Sequence, residues 1–322
     1  MEQTPAPTPN SLRSCTLTDG NAGNQRQARA LAAALALGAT HDWRLQARAP
    51  WCWLSPRRLP GARHTFGKAF AQMQTPQIAI GCGRQAALAT RLLRERGAKA
   101  VQILDPRIDA SHWDLVIAPE HDGLRGSNVI TLLGSLNPVD DNWLAAARTR
   151  FASLAELPQP RTALLLGGDS AHWRFDIAAF DALVAALETV MNRDGGSLLV
   201  TTSRRTPANI AAALPARFGR HANLIWRGEH DGENPYPGLL AWADRIVCTP
   251  DSVNMISEAC ATHAPVFVLQ PQAIDGRPRH FLDALLSRGR IRALDAAMAT
   301  FDVQPLRETA RVAALVRERL GI

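Results

Sequence analysis

The stretch "IVCTPDSVNMISEACATHAPVFVL" (residues 246–269) decides the fold. Ile246 and Val247 read as the end of a buried strand, and "APVFVL" (264–269) reads as another. Between them, Asp251, Asn254/Met255 and Glu258 recur at helical spacing and lie along one face. A strand, a helix and a second strand in succession form the unit that joins parallel neighbours in a sheet. The helix is unusual in its first half, where Thr249, Asp251, Ser252, Asn254 and Glu258 crowd together.

The same alternation extends outward from this unit. Upstream in the second half, "TALLLGGDS" (162–170) is a strand and Gly turn, 176–192 a helix, and "SLLVTTS" (197–203), "NLIW" (223–226) and "RIVCT" (245–249) further strands. In the first half, "SCTLTDG" (14–20) and "QIAIGCG" (77–83) each run from a strand into a Gly turn and a helix. "AVQILD" (100–105), "LVIAPE" (115–120) and "NVITLLG" (128–134) add three strands, and Val139–Asp141 reads as a loop and helix cap. This pattern predicts an α/β protein of two Rossmann-like domains, with parallel sheets facing a cleft. The expected parts are a disordered tail over 1–10, a first Rossmann-like domain over 11–157 and a second over 158–305. The amphipathic helix "LRETARVAALVRERL", within 306–322, is expected to pack back across the cleft.

Composition narrows the class. The chain has 322 residues, 46% apolar and 20% charged, which suits two globular domains. It contains no apolar run long enough to cross a membrane. Five cysteines without CxxC or His-rich spacing argue for a reducing cytoplasm and against a metal site. The formal charge of +7 is nearly all arginine, scattered through helices such as "RLLRER" (91–96) and not gathered in a block. Anionic small molecules or a membrane surface suit it better than nucleic acid.

Polar residues collect where strands end, which is where open α/β sheets bind ligands. Gly167 and Gly168 let backbone amides approach an anion, with Ser170 just beyond. Ser203, Arg204 and Arg205 end the next strand, where arginines can grip a pyrophosphate. Thr249 or Asp251 can cap the polar helix, and Glu258, two turns in, can accept hydrogen bonds from ribose hydroxyls. Asn234 and Tyr236 lie in "NPYPG", a rigid loop suited to stacking a base or sugar. In the first half, Asp19, Gly20, Asn21, Asn24 and Gln25 form one polar Gly loop, and Gly81, Gly83 and Arg84 another. Gly81, Gly83, Ala86 and Asp105 also fit a dinucleotide fingerprint, which keeps an NAD-dependent enzyme in view. "APWCWLSPRRLPGARHTFGKAF" (49–70) mixes tryptophans with basic residues and can touch an anionic membrane or a lipid-linked acceptor.

These motifs together resemble the plant mitochondrial-fission family and its bacterial relatives. The likeness is carried by "LTDGNAGNQRQARALA", "IGCGRQA", "QILDPR", "LVIAPEHD", "GSLNPV", "LLLGGDSAHW" and "NPYPGLLAWADRIVCTPDSVNMISEACATHAPVFVL", and it spans about residues 15–290. That family is similar in turn to GT-B glycosyltransferases and to non-hydrolysing sugar-nucleotide epimerases. The resemblance implies Gly167 and Gly168 near a diphosphate and Glu258 on a ribose. The usual Gly-rich lead-in to that glutamate is replaced here by "TPDSVNMISE".

The expected activity is metal-independent transfer from a nucleotide-sugar, with no cofactor and with Asp19 as general base. The donor is expected to contact Ser252, Asn254 and Met255 as well as the residues above. A sugar-nucleotide epimerase and a non-catalytic binding or scaffold protein are the alternatives on the same fold. The acceptor is expected on the first domain (11–157), against its two Gly loops, and the nucleotide-sugar on the second (158–305).

Overall fold

Every apolar run read above is a strand in the computed structural model, which describes residues 13–38 and 40–322. The expected tail over 1–10 lies outside the described residues. The chain divides into two compact units, one running to Pro138 and completed by Glu308–Ile322, the other comprising Val139–Arg307.

The first unit contains β1 (Ser14–Thr18), α1 (Ala22–Ala34), β2 (Thr40–Arg44), α2 (Trp51–Leu54), α3 (Gly67–Gln72) and β3 (Ile78–Cys82). It continues through α4 (Arg84–Arg94), β4 (Lys99–Ile103), β5 (Leu115–Pro119) and β6 (Val129–Leu132). All six strands pair in parallel, in the order β2-β1-β3-β4-β5-β6. The order reverses between β1 and β3, so their carboxyl ends flank a topological switch point. Strands such as β3 and β5 are buried along their whole length, as a sheet covered on both faces requires.

The second unit begins with α5 (Asp141–Arg150), β7 (Arg161–Leu166), α6 (Ile177–Asp194), β8 (Ser197–Thr202), α7 (Ala208–Phe218) and β9 (Ala222–Trp226). It ends with α8 (Tyr236–Trp242), β10 (Arg245–Cys248), α9 (Val253–Cys260), β11 (Val266–Val268), α10 (Gly276–Ser287) and β12 (Ile291–Ala293). Its strands also pair in parallel, in the order β12-β11-β10-β7-β8-β9. Counted from β7 as the first strand, this is the Rossmann order, with its switch point between β7 and β10.

The division falls earlier than the expected residue 157. Asp140 caps α5 by accepting from the Trp143 amide at 2.7 Å, and α5 then packs on α8. Arg148 Nε donates to the Ala241 carbonyl at 2.9 Å, so 139–157 belongs to the second unit. The chain returns to the first unit as α11 (Glu308–Leu320), whose Val312, Ala313 and Val316 are buried beside Leu31 and Leu35 of α1 and its cap. Burying each valine there contributes about 1.5–3 kcal/mol. No helix among the described residues is long and apolar enough to cross a membrane.

Candidate functional site

The switch point of the second unit gathers most of the predicted donor-side residues. Leu165 of β7 lies beside Cys248 of β10, so the turns after the two strands meet. The Gly167 amide donates to Thr249 Oγ1 at 2.7 Å, and the Gly168 amide donates to Asp251 Oδ2 at 3.0 Å. Thr249 Oγ1 donates to Asp251 Oδ1 at 2.7 Å. Arg205 Nη2 reaches Asp251 Oδ2 at 2.6 Å. The Asp251 side chain is fully buried, and Arg205 is nearly half exposed.

The Gly turn is therefore tied off from within. The carboxylate of Asp251 receives the Gly168 amide that the sequence pattern offered to a diphosphate, while the Gly167 amide is taken by Thr249. The glycines are needed for close approach: a β-carbon at 167 would lie 2.1 Å from Asp251 Oδ1, and one at 168 would lie 1.9 Å from the Arg205 carbonyl oxygen. Thr206, absent from the sequence-predicted residues, closes the same turn by donating to the Leu166 carbonyl at 3.1 Å. Its signal was available, a threonine before Pro207 at a strand end.

Ser252, and not Thr249 or Asp251, is the N-cap of α9; its Oγ accepts from the Met255 amide at 3.4 Å. Thr249 and Asp251 point back to the Gly turn instead, because their side chains satisfy its amides. Asn254 and Met255 are half-buried in the first turn of α9. At the other end, Arg290 donates to the carbonyls of Cys260 at 3.0 Å and Thr262 at 2.9 Å, anchoring the last turn. Burial lowers the pKa of Arg290 from its usual value.

Glu258 is 2% exposed, one turn beyond the half-exposed residues. Tyr236 is not the loop residue expected. It opens α8, is itself buried, and its hydroxyl donates to Glu258 Oε2 at 2.6 Å. A buried carboxylate is retained only where hydrogen bonds offset its desolvation, and the Tyr236 hydroxyl supplies one of them. Asn234 Oδ1 accepts from the Tyr236 amide at 3.0 Å and so fixes the entry to α8.

The remaining donor-side residues serve turns. Ser170 Oγ accepts from the amides of His172 at 3.2 Å and Trp173 at 3.1 Å. Ser203 Oγ accepts from the Arg205 amide at 3.2 Å. Arg204 is exposed, with no hydrogen bond or ion pair among the described residues.

In the first unit, the ends of β1 and β3 bring Asp19, Asn24 and Gly83 together. Asp19 Oδ1 accepts from Asn24 Nδ2 at 3.0 Å and from the Asn21 amide at 3.1 Å, and Oδ2 accepts from Asn21 Nδ2 at 2.8 Å. Gly83 has φ +93° and faces Asn24. Gly20 and Gln25 are half-buried beside them. Gly81 is not in this loop: it is buried inside β3, where Thr90 and Gln102 leave no room for a β-carbon. Arg84 turns away and donates to the Cys52 carbonyl at 3.1 Å. Asp105 accepts from the Arg107 amide at 2.8 Å and pairs with its guanidinium at 3.2 Å.

Known proteins share this architecture. The profile of the family described as Mitochondrial fission ELM1 matches residues 22–320. The mitochondrial fission protein ELM1 of Arabidopsis thaliana is 30% identical over 295 residues, covering 81% of this chain and 66% of the plant protein. The chain thus spans just under two thirds of that relative's length. An uncharacterized protein of Rickettsia prowazekii (strain Madrid E) is 23% identical over 350 residues, covering 95% of this chain and 98% of its own. Among solved structures, MurG of Acinetobacter baumannii superposes with TM-score 0.51 at 13% identity, over 96% of this chain and 91% of that one. UDP-GlcNAc 2-epimerase of Neisseria meningitidis, bound to UDP-GlcNAc, gives 0.55 at 11% identity, over 96% and 99%. Os79 of O. sativa, in complex with UDP, gives 0.55 at 11% identity, over 95% and 91%. At such identities the likeness establishes a GT-B-like fold and nothing finer.

Proposed function

The chain belongs to the mitochondrial fission ELM1 family and has a GT-B-like fold, and from that premise we propose that it is a glycosyltransferase with a nucleotide-sugar donor. One observation carries the reading. Side chains from the loops after β8 and β10 and the amides of the Gly turn after β7 converge where the strand order reverses, next to the exposed Arg204, unpaired among the described residues. The solved proteins of this fold that hold UDP or UDP-GlcNAc support a nucleotide-sugar as the ligand class.

In this reading the donor occupies the second unit. Arg204, unpartnered and exposed, and the first turn of α9 supply positive charge for the diphosphate. Glu258, oriented by Tyr236, faces the ribose. An acceptor hydroxyl oxygen attacks the anomeric carbon, the bond to the diphosphate oxygen breaks, and the nucleoside diphosphate leaves with the electron pair. Asp19, held by Asn21 and Asn24, takes the hydroxyl proton. No resident metal or cofactor is required. We further place the protein in the cytoplasm, where its five free cysteines suit a reducing medium, with a cell-envelope or lipid-linked acceptor.

Calorimetry with UDP-, GDP-, ADP- and CMP-linked sugars tests the donor. One nucleotide class is expected to bind, and Glu258→Gln and Glu258→Ala are expected to weaken it at least about tenfold, a loss of roughly 1.4 kcal/mol. Silence from the whole panel, or unchanged affinity in both variants, sinks the reading. The epimerase alternative has support in the epimerase likeness above, and product analysis without added acceptor separates the two. A scaffold protein would show no turnover with cell extract and a stable protein partner on pull-down. For the NAD reading the test is quenching of tryptophan fluorescence by NAD with an affinity that depends on Asp105, whose carboxylate pairs with Arg107 here.

A further inference from the structure

The segment from Asp42 to Glu95 contains nine basic residues and no acidic one between those two positions. With its two acidic ends counted the segment carries the whole +7 of the chain, so everything outside it is neutral in sum. Most arginines lie elsewhere and are balanced by acids there, so the net positive charge is concentrated in one part of the first unit.

Within that part, α2 stands out. None of its residues is buried, Trp53 is 70% exposed and Leu54 38%. They are two of the four large apolar residues so exposed among the described residues, and they are adjacent. An exposed tryptophan beside an exposed leucine is costly in water and calls for a partner.

The ridge is held from below. Arg84 donates to the Cys52 carbonyl at 3.1 Å, and Arg91 Nη1 donates to the Pro56 carbonyl at 2.6 Å. Trp51, half-buried, packs into the core of the unit beneath it. Arg57, Arg63 and Lys68 lie further along the same segment, exposed and without an acidic partner among the described residues. A groove of about 580 Å³ opens alongside, lined by Arg58, Arg63 and His64 among others. Arg58 is engaged by Glu95 at 3.0 Å, so the other cations are the ones available.

From this arrangement we infer that α2 and the turn after it dock on an anionic lipid bilayer. Trp53 and Leu54 enter the interface while Arg57, Arg63 and Lys68 meet lipid phosphates. Indole prefers the headgroup level, and a short apolar ridge alone binds weakly, so the basic rim is needed as the second attraction. Glu95, the one acid that lines the groove, is paired with Arg58, so little repulsion opposes approach. Docking of this kind involves the first unit alone and stands whether or not the donor reading holds.

Co-sedimentation of the full chain with vesicles provides the test. Binding is expected to phosphatidylcholine vesicles containing 30% phosphatidylglycerol, to fall steeply between 50 and 300 mM salt, and to be far weaker on pure phosphatidylcholine (conditions set on the order of the Debye screening range). Each of Arg57→Gln and Arg63→Gln is expected to weaken it roughly fivefold. Trp53→Ser, on an exposed side chain that the fold does not need, is expected to weaken it about tenfold with unchanged circular dichroism. Brominated lipids are expected to quench the wild-type fluorescence and to lose that quenching in Trp53→Phe. Equal binding to neutral and anionic vesicles, or full binding by Trp53→Ser, overturns the inference. So does binding to a DNA duplex with none to vesicles, which would assign the basic rim to nucleic acid.

Discussion

Arg205 and Asp251 form an ion pair at 2.6 Å whose carboxylate also receives the Gly168 amide and the Thr249 hydroxyl. Three donors from three different loops thus close on one buried acid, which holds the ends of β7, β8 and β10 together. Asp251→Ala leaves the Gly168 amide without a partner in the interior and is expected to cost about 3 kcal/mol. Asp251→Asn keeps an acceptor oxygen and is expected to cost about half of that. Urea midpoints compared at constant m-value check both, and a loss below about 0.5 kcal/mol for the alanine variant would mean that the network is not holding the strand ends.

The same pair separates the two neighbouring arginines. Arg205 is committed to Asp251 and to the Asp169 carbonyl, which it reaches at 3.3 Å, whereas Arg204 is free to meet a ligand. Arg204→Gln is expected to weaken nucleotide-sugar binding about tenfold with little change in stability, since one charge-assisted contact is worth roughly that much. Arg205→Gln is expected to lower stability first. Titration calorimetry beside thermal melts distinguishes them, and equal effects on both readouts would contradict the division of labour.

Continuous apolar runs made the central strands legible. "LVIAP" and "TALLL" can only be buried on both faces, and β5 and β7 are. Two of the four edge strands, β2 and β12, escaped for the same reason in reverse. β2 reads THDWR and is mostly exposed, and β12 is three residues with two exposed, so neither shows an apolar run. At the site, the residue types were readable but their partners were not. That Asp251 satisfies Gly168 depends on the β7–β10 register, which places residues 83 positions apart within one hydrogen bond. Tyr236 looked like a loop aromatic between two prolines, and only the packing of α8 shows that it is buried against Glu258.

Acid should unfold the second unit through Asp194. Its carboxylate accepts from Arg193 and from Arg245, whose side chain is 6% exposed at the start of β10. Those two guanidiniums hold the Asp194 pKa well below the usual carboxylate range. A depressed pKa means that the stabilisation is present above the unfolded value, about 4, and is lost as pH falls toward the folded value. Asp194→Asn leaves the buried Arg245 charge uncompensated and is expected to cost about 3 kcal/mol at pH 7. It is also expected to flatten the fall in urea midpoint below about pH 4. An acid limb identical to wild type would assign the pH sensitivity elsewhere.

Thiol reactivity should single out one cysteine. Cys15, Cys82, Cys248 and Cys260 are buried, and Cys52, in α2, is half exposed. Burial pushes Cys15 up to about 12 and Cys260 to about 11, and it raises Cys82 and Cys248 as well. Since the thiolate is the nucleophile, these four are protected twice, by access and by protonation. Ellman's reagent at pH 8 is expected to titrate one thiol per native chain within minutes and the other four only in denaturant. Vesicles that cover α2 should slow that single reaction, because Cys52 lies between Trp51 and Trp53. Rapid modification of two or more thiols in the native chain would show that a sheet opens locally, contrary to its complete burial here.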